Sequence, residues 1–100
     1  MPYVSISPSK ISGKKYTAIF YDHNKNKIKT VHFGQSGASD YTIHKDDARK
    51  QRYIQRHEAR ENWNDPHTAG ALSRYILWNK PSFRASVSDY MRRFGLKALP

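Results

Sequence analysis

The supply of aliphatic side chains is what most limits the folds open to this chain. Leu, Ile, Val and Phe provide only 18 of its 100 residues, while charged residues make up 26%. Such a balance is typical of chains that stay disordered. Aromatic residues compensate, since they reach 13% and each buries more area than an aliphatic residue. We therefore expect a single folded domain over residues 1–100 with a small aromatic core.

The first third of the chain is predicted to form antiparallel strands. Residues 15–21 and 27–33 are rich in aromatic and β-branched side chains, and the five residues between them favour a turn. They predict a β-hairpin, or a three-stranded meander over residues 3–33 if the alternating N-terminal residues form an edge strand. Residues 34–43 contain two glycines and are expected to form a loop.

Three helices are predicted after the strands. The first covers residues 45–61, the second covers 66–78 with Asp65 as its N-cap, and the third covers 82–94. Apolar side chains recur along the third helix at the spacing of one buried face, namely Phe83, Val87, Tyr90, Met91 and Phe94. Strands followed by helices predict an α+β fold, in which a hairpin or meander packs against three helices.

The charge balance indicates a polyanionic partner. Lys and Arg number 18 against eight Asp and Glu, so the net charge is +10. Repulsion at this density costs stability, which favours nucleic acid as the partner. The absence of cysteine excludes a disulfide scaffold, a thiolate zinc site and a cysteine nucleophile. Without a membrane-length apolar run or a secretory signal, we expect a protein that works in a cytoplasmic, nuclear or virion-interior setting.

A row of basic residues on the first predicted helix is the clearest candidate site. Its members, spaced by four, three, four and four residues, are Lys45, Arg49, Arg52, Arg56 and Arg60. At 100° per residue they fall in a stripe about 80° wide. A helix face that only meets solvent usually alternates basic residues with carboxylates three or four positions away. A row of guanidinium groups without such carboxylates is instead suited to binding successive phosphates. Tyr53 at the border of the stripe, with Arg92 and Arg93 of the last helix, completes the predicted nucleic-acid-binding set.

The predicted binding follows the phosphate backbone without strong sequence preference, because no group shows a base-reading order. We expect DNA rather than RNA as the partner, and no catalytic residue, metal or cofactor. The five histidines share no metal-ligand spacing. The oligomeric state stays open. The alternative to a binding role is that the row is a solvated helix face, in which the aliphatic parts of the arginines cover neighbouring side chains.

A nuclease is the enzyme alternative. Ile19-Phe20-Tyr21 and, ten residues later, His32-Phe33-Gly34 resemble the paired hairpin motif of GIY-YIG nucleases. A helix with arginines and a His-Glu pair follows, as it roughly does in that family. The resemblance implies as catalytic candidates Tyr21, His32, Arg49 or Arg52, and Glu58.

Several longer strings resemble one family of small basic viral proteins. The strings are residues 31–34, 39–46, 52–57, 61–63, 68–74, 77–82 and 89–90. That family is encoded by large double-stranded DNA viruses of algae and amoebae, with relatives in tailed phages, and the resemblance covers roughly residues 15 to 94. It implies a viral origin and a genome-associated role in the virion. A minor capsid protein, which cements major capsid subunits from inside and meets their acidic surfaces, is the non-nucleic-acid alternative.

Overall fold

An antiparallel sheet from the N-terminal third is followed by helices that cover one of its faces. The computed structural model describes residues 2–99. The elements are β1 (Tyr3–Pro8), β2 (Lys14–Tyr21), β3 (Lys27–Gln35), α1 (Tyr41–His44), α2 (Asp47–His57), α3 (Ala69–Leu72) with a π-helical continuation (Ser73–Leu77), α4 (Phe83–Phe94) and β4 (Lys97–Ala98). The strand order is β3-β2-β1-β4, antiparallel except where β4 pairs with β1. The predicted α+β fold, a meander packed against helices, is confirmed.

A turn that a side chain stabilises joins β2 to β3. One carboxylate oxygen of Asp22 accepts the backbone N–H groups of Asn24 and Asn26, both at 2.9 Å. Between these residues Lys25 adopts a left-handed conformation with φ 67°. Short polar side chains of this kind hold tight turns by bonding the backbone that follows them. The turn sets the hairpin register, which begins with the pairing of Tyr21 and Lys27.

The two faces of the sheet differ in what covers them. Alternate strand residues point towards the helices and are buried, among them Val4, Ala18, Phe20 and Phe33. Leu72, Ile76 and Tyr90 of the helices are 0% exposed and complete this core. The intervening strand residues, such as Thr17 and Ile19, are half-buried and lie outside the core cluster. The second face of the sheet is therefore left open to solvent.

The last helix, α4, has the buried face and the end signals that its sequence predicts. Ser82 caps it by accepting a backbone N–H at 3.2 Å, and Gly95 ends it in a left-handed conformation with φ 66°. Tyr90 is fully buried, and the other four predicted members pack half-buried against the core. The predicted apolar face is confirmed. Within residues 2–99, no helix combines the length and the apolar character that crossing a membrane requires.

The second helix begins later than the predicted span of 66–78. Its N-cap is Thr68 and not Asp65, because the Thr68 hydroxyl accepts a backbone N–H of the first turn at 3.1 Å. Asp65 instead closes a turn over the next two residues. The carbonyl of Pro66 accepts the hydroxyl of Tyr90 at 2.6 Å. This tertiary hydrogen bond holds Pro66 outside the helix and overrides the local start signal.

Two short elements have no signal in the sequence. Lys97–Ala98 pairs in parallel with the start of β1, and the Lys97 N–H donates to the Pro2 carbonyl at 3.0 Å. The π-helical turn after α3 ends where the Trp78 N–H donates to the Ser73 carbonyl at 3.0 Å. A strand of two residues is too short to show alternation, and a π-turn has the composition of an α-helix, so neither was predictable.

Replacing Tyr90 by Phe tests the bond that shapes the second helix. Without the hydroxyl, the Pro66 carbonyl loses its partner, so we expect the free energy of unfolding to fall by about 1–2 kcal/mol in urea denaturation. Tyr75→Phe is the matched control, because Tyr75 is half-buried and hydrogen-bonds through its backbone carbonyl. A Tyr90→Phe protein as stable as its parent would contradict this account.

Candidate nucleic-acid interface

The segment predicted as a loop, residues 34–43, contains the start of a short helix. Asp40 is 2% exposed and caps α1 by accepting the N–H of Thr42 at 2.9 Å. The same carboxylate binds the ammonium group of Lys15, from β2, at 2.5 Å. One buried carboxylate therefore ties this segment to the sheet, a role that local composition did not reveal.

The N-terminus of α2 lies two residues later than predicted, which changes the membership of the basic row. Lys45 ends α1 in a left-handed conformation with φ 55°. Asp46 then caps α2 by accepting the N–H of Ala48 at 3.0 Å, and the helix begins at Asp47. A residue before the cap does not follow the regular rotation of the helix, so Lys45 flanks the row instead of extending it.

Three arginines form the row on α2 itself, and we call Arg49, Arg52 and Arg56 the arginine row. Their spacing of three and four residues places them within about 60° of the helix circumference and along about 10 Å of its length. All three are exposed, and none belongs to an ion pair within residues 2–99. Their guanidinium groups are therefore open to an anionic ligand.

The C-terminal end of α2 leaves Arg60 beside the row but off the helix. The helix ends at His57, four residues earlier than predicted. Glu61 accepts the indole N–H of Trp63 at 3.0 Å and lies 3.3 Å from the His57 ring nitrogen. Gly70 packs so closely that a Cβ there would lie 2.1 Å from the Glu61 carboxylate. These contacts turn the chain inwards, and the exposed Arg60 occupies the turn.

Tyr53 belongs to the interior and not to the exposed row. The residue is 7% exposed, and its ring stacks on Trp78 with centroids 4.4 Å apart and planes within 4°. His57 also stacks on it at 4.3 Å. Burial raises the pKa of Tyr53, and the nearby Glu61 carboxylate acts in the same direction. Tyr53 therefore anchors α2. Its ring is not accessible to nucleic acid in this structure, so it does not offer the predicted contact.

Lys50 is a second anchor of α2. Its ammonium group donates to the Asn79 carbonyl at 2.6 Å and lies 4.8 Å from the ring centroid of Tyr41. Burial lowers the pKa of Lys50, and repulsion from Arg74 adds to this effect. Lys50 and Tyr53 turn one side of α2 inwards, and the arginine row lies on the exposed surface next to that side.

A cleft of about 370 Å³ opens beside the arginine row. Tyr53 and His57 line it from α2, and Lys14 and Lys15 line it from β2. Lys15 is ion-paired, whereas Lys14 is exposed. Arg56 lies near enough to lower the pKa of the Tyr53 phenol, against the larger effect of burial. The carboxylates of Asp40 and Glu61 also line the cleft, whereas the arginine row lies outside its lining.

The C-terminal arginines of the predicted set lie on α4. Arg92 is exposed in its last turn. Arg93 lies 3.4 Å from a carboxylate oxygen of Asp89, and its guanidinium lies 4.4 Å from the ring centroid of Tyr75. The two residues therefore form a separate basic group on another helix, in which Arg93 is already partnered by the protein.

Two residues that the nuclease resemblance implies, Tyr21 and His32, lie apart on the sheet. Tyr21 pairs with Lys27 and His32 pairs with Thr17, so four ladder positions, about 13 Å, separate Tyr21 from His32. The His32 ring nitrogen is hydrogen-bonded to the Thr17 hydroxyl at 2.8 Å. Glu58 is exposed at the C-cap of α2. Among residues 2–99, no three His, Asp or Glu side chains form a group that could hold a metal ion.

Several contacts in the cleft could not be predicted from the sequence. Lys15 and Asp40 are 25 positions apart, and no local pattern connects such a pair. The stack of Tyr53 on Trp78 also joins distant parts of the chain. The pair of His57 and Glu61 is different, because its i, i+4 spacing was visible in the sequence.

One segment of the chain matches a known protein family. The Family of unknown function (DUF5754) matches residues 4–57, more than half of the 100 residues. The chain belongs to this family. The DUF5754 segment runs from the second residue of β1 to the last residue of α2, so it includes all of the meander except Tyr3, together with the arginine row. Neither a curated protein nor a solved structure matches the chain.

Removing the positive partner of Asp40 is expected to destabilise the protein. In Lys15→Met the buried carboxylate loses its ammonium group, and breaking such a buried pair costs about 3–5 kcal/mol. Urea denaturation measures the change in the free energy of unfolding. Lys14→Met is the matched control, since Lys14 is exposed and its replacement should change stability by about 0.5 kcal/mol or less. Equally small losses in both variants would show that the ion pair contributes little.

Proposed function

We propose that this protein binds nucleic acid through the phosphate backbone, as a non-enzymatic protein without strong sequence preference. The arginine row on α2 is the contact surface, with Lys45 and Arg60 at its two ends. Duplex DNA is the proposed ligand.

The observation that carries the proposal is the exposure of three helical arginines without carboxylate partners within residues 2–99. Exposed basic residues on a helix are commonly stabilised by acidic residues three or four positions away. A guanidinium group holds two phosphate oxygens at once, and an ordered helix presents several such groups in line. The net charge of +10 supports the same ligand, because it attracts a polyanion from a distance.

The carboxylates of α2 are placed where they do not compete with phosphate. Asp46 caps the helix and Asp47 accepts the hydroxyl of Tyr41. Glu58 follows Arg56 by two positions, which puts it about 160° around the axis if the helical rotation continues. The side of α2 that bears the row therefore keeps its positive charge.

The sequence resemblance to small basic proteins of large double-stranded DNA viruses supports DNA as the ligand. It also supports extending the proposal to a genome-associated protein of the virion. In that setting the protein would act in the virion interior or in the host cytoplasm or nucleus.

The salt dependence of duplex binding tests the proposal. About five phosphate contacts predict a slope near −4.5 for the logarithm of the binding constant against the logarithm of salt concentration. Arg52→Gln is expected to flatten this slope by about 0.9 and to weaken binding to all sequences alike. Fluorescence anisotropy with short labelled duplexes at several salt concentrations measures both effects.

Arg84→Gln is the matched control for this experiment. Arg84 is an exposed arginine of α4, so its replacement makes the same change in charge away from the row. Lys50 is unsuitable because its ammonium group anchors α2 through Asn79. Equal losses in the Arg52 and Arg84 variants would contradict a defined site. Absence of binding at about 0.15 M salt would also contradict it and would favour an acidic protein surface, such as the inside of a capsid, as the partner.

A further inference from the structure

The sheet face that the helices leave uncovered carries two neighbouring tyrosines. Tyr3 of β1 and Tyr21 of β2 are register partners, so both side chains point to the same side of the sheet. That side is opposite to the core, because the next residues inwards, Val4 and Phe20, are 2% and 1% exposed within it. Both tyrosines are half-buried, and neither ring contacts another aromatic ring within the described residues.

Lysines continue this line of residues to both edges of the sheet. Lys27 of β3 is the register partner of Tyr21, beyond a bulge at Ile28, and Lys97 of β4 is the register partner of Tyr3. We call these four residues the tyrosine line, and at one strand spacing per step it is about 14 Å long. The ammonium group of Lys25 approaches the same surface, 5.5 Å from the ring centroid of Tyr3. All three lysines are exposed.

The side chains that lie beside the tyrosine line carry no charge. Ser5, Ile19 and Thr30 are register partners in the neighbouring line of the same face. The carboxylate closest along the chain is Asp22, which is already engaged by two backbone N–H groups of the turn. This part of the open face therefore carries two aromatic rings and uncharged side chains, with positive charge at its edges.

We propose that this face is a second binding surface, which takes single-stranded DNA by stacking unpaired bases on Tyr3 and Tyr21. Aromatic rings on an open sheet stack bases of any identity, and basic groups around them hold the backbone. Lys27, Lys97 and Lys25 stand where the phosphates on either side of two stacked bases would lie. A duplex fits poorly, because its bases already stack on one another and hide their faces.

This surface is separate from the arginine row. The row lies on α2, which is anchored to Trp78 in the helical layer, whereas the tyrosine line lies on the opposite side of the sheet. The inference therefore does not depend on the proposed duplex binding, and either one can fail while the other holds.

Base stacking can be measured apart from phosphate attraction by comparing two oligonucleotides of equal length and charge. One is a labelled oligothymidine, and the other consists of abasic residues. The parent protein is expected to bind the oligothymidine at least about 5-fold more tightly, since each stacked base contributes a factor of about 5 to 150. Tyr3→Leu and Tyr21→Leu are each expected to lose a factor in that range for the oligothymidine and to leave binding of the abasic strand unchanged.

Phenylalanine variants are the matched controls. Tyr3→Phe and Tyr21→Phe keep the stacking ring and are expected to retain the preference for bases, even if a leucine variant should fail to fold. Arg52→Gln is expected to weaken duplex binding while the preference for oligothymidine over the abasic strand persists.

Three results would overturn the inference. The first is equal binding of the two oligonucleotides by the parent protein. The second is a folded Tyr3→Leu, Tyr21→Leu double variant, checked by thermal unfolding, that keeps the preference for bases. The third is tighter binding of oligouridine than of oligothymidine, which would overturn the assignment to DNA. Loss of duplex binding alone would bear on the arginine row and not on this surface.

Discussion

The stack of Tyr53 on Trp78 decides how the most basic helix sits on the protein. Tyr53 is the buried residue of α2, and its ring lies nearly parallel to the indole at 4.4 Å. A helix of 11 residues is marginal by itself in water, so α2 depends on this packing. The hydrogen bond from Lys50 to the chain after α3 adds a second attachment on the same side. Both anchors lie on one side of the helix, and the neighbouring arginine row is exposed.

The distribution of charge follows from how the protein uses its few carboxylates. Seven of the eight acidic residues accept hydrogen bonds within the protein, namely Asp22, Asp40, Asp46, Asp47, Glu61, Asp65 and Asp89. These bonds cap helices, close turns and hold buried partners. The carboxylates are therefore engaged in bonds that stabilise the fold, while most lysines and arginines remain exposed. An excess of exposed positive charge of this kind attracts a polyanion.

Local signals predicted those elements whose stability is local. The hairpin followed from two alternating segments around a turn of Asp and Asn, and α4 followed from its N-cap, its apolar period and its terminal glycine. The bounds of the other helices were shifted where distant groups intervened. Tyr90, 24 positions away, draws the Pro66 carbonyl out of the second helix, and Gly70 packs against Glu61 where the chain turns inwards after α2. Such contacts depend on how separate segments pack, which local propensity does not encode.

The candidate site likewise combines features that follow from the sequence with features that only the tertiary structure decides. The sequence alone determined the net charge, the spacing of Arg49, Arg52 and Arg56 and their common side of a helix, because these depend only on composition and helical period. The tertiary structure decided that Tyr53 is interior and that Lys45 and Arg60 flank the helix. It also decided which sheet face stays uncovered, so that Tyr3 and Tyr21 remain at the surface. Burial depends on what other parts of the chain pack against a residue, and that is a property of the folded molecule.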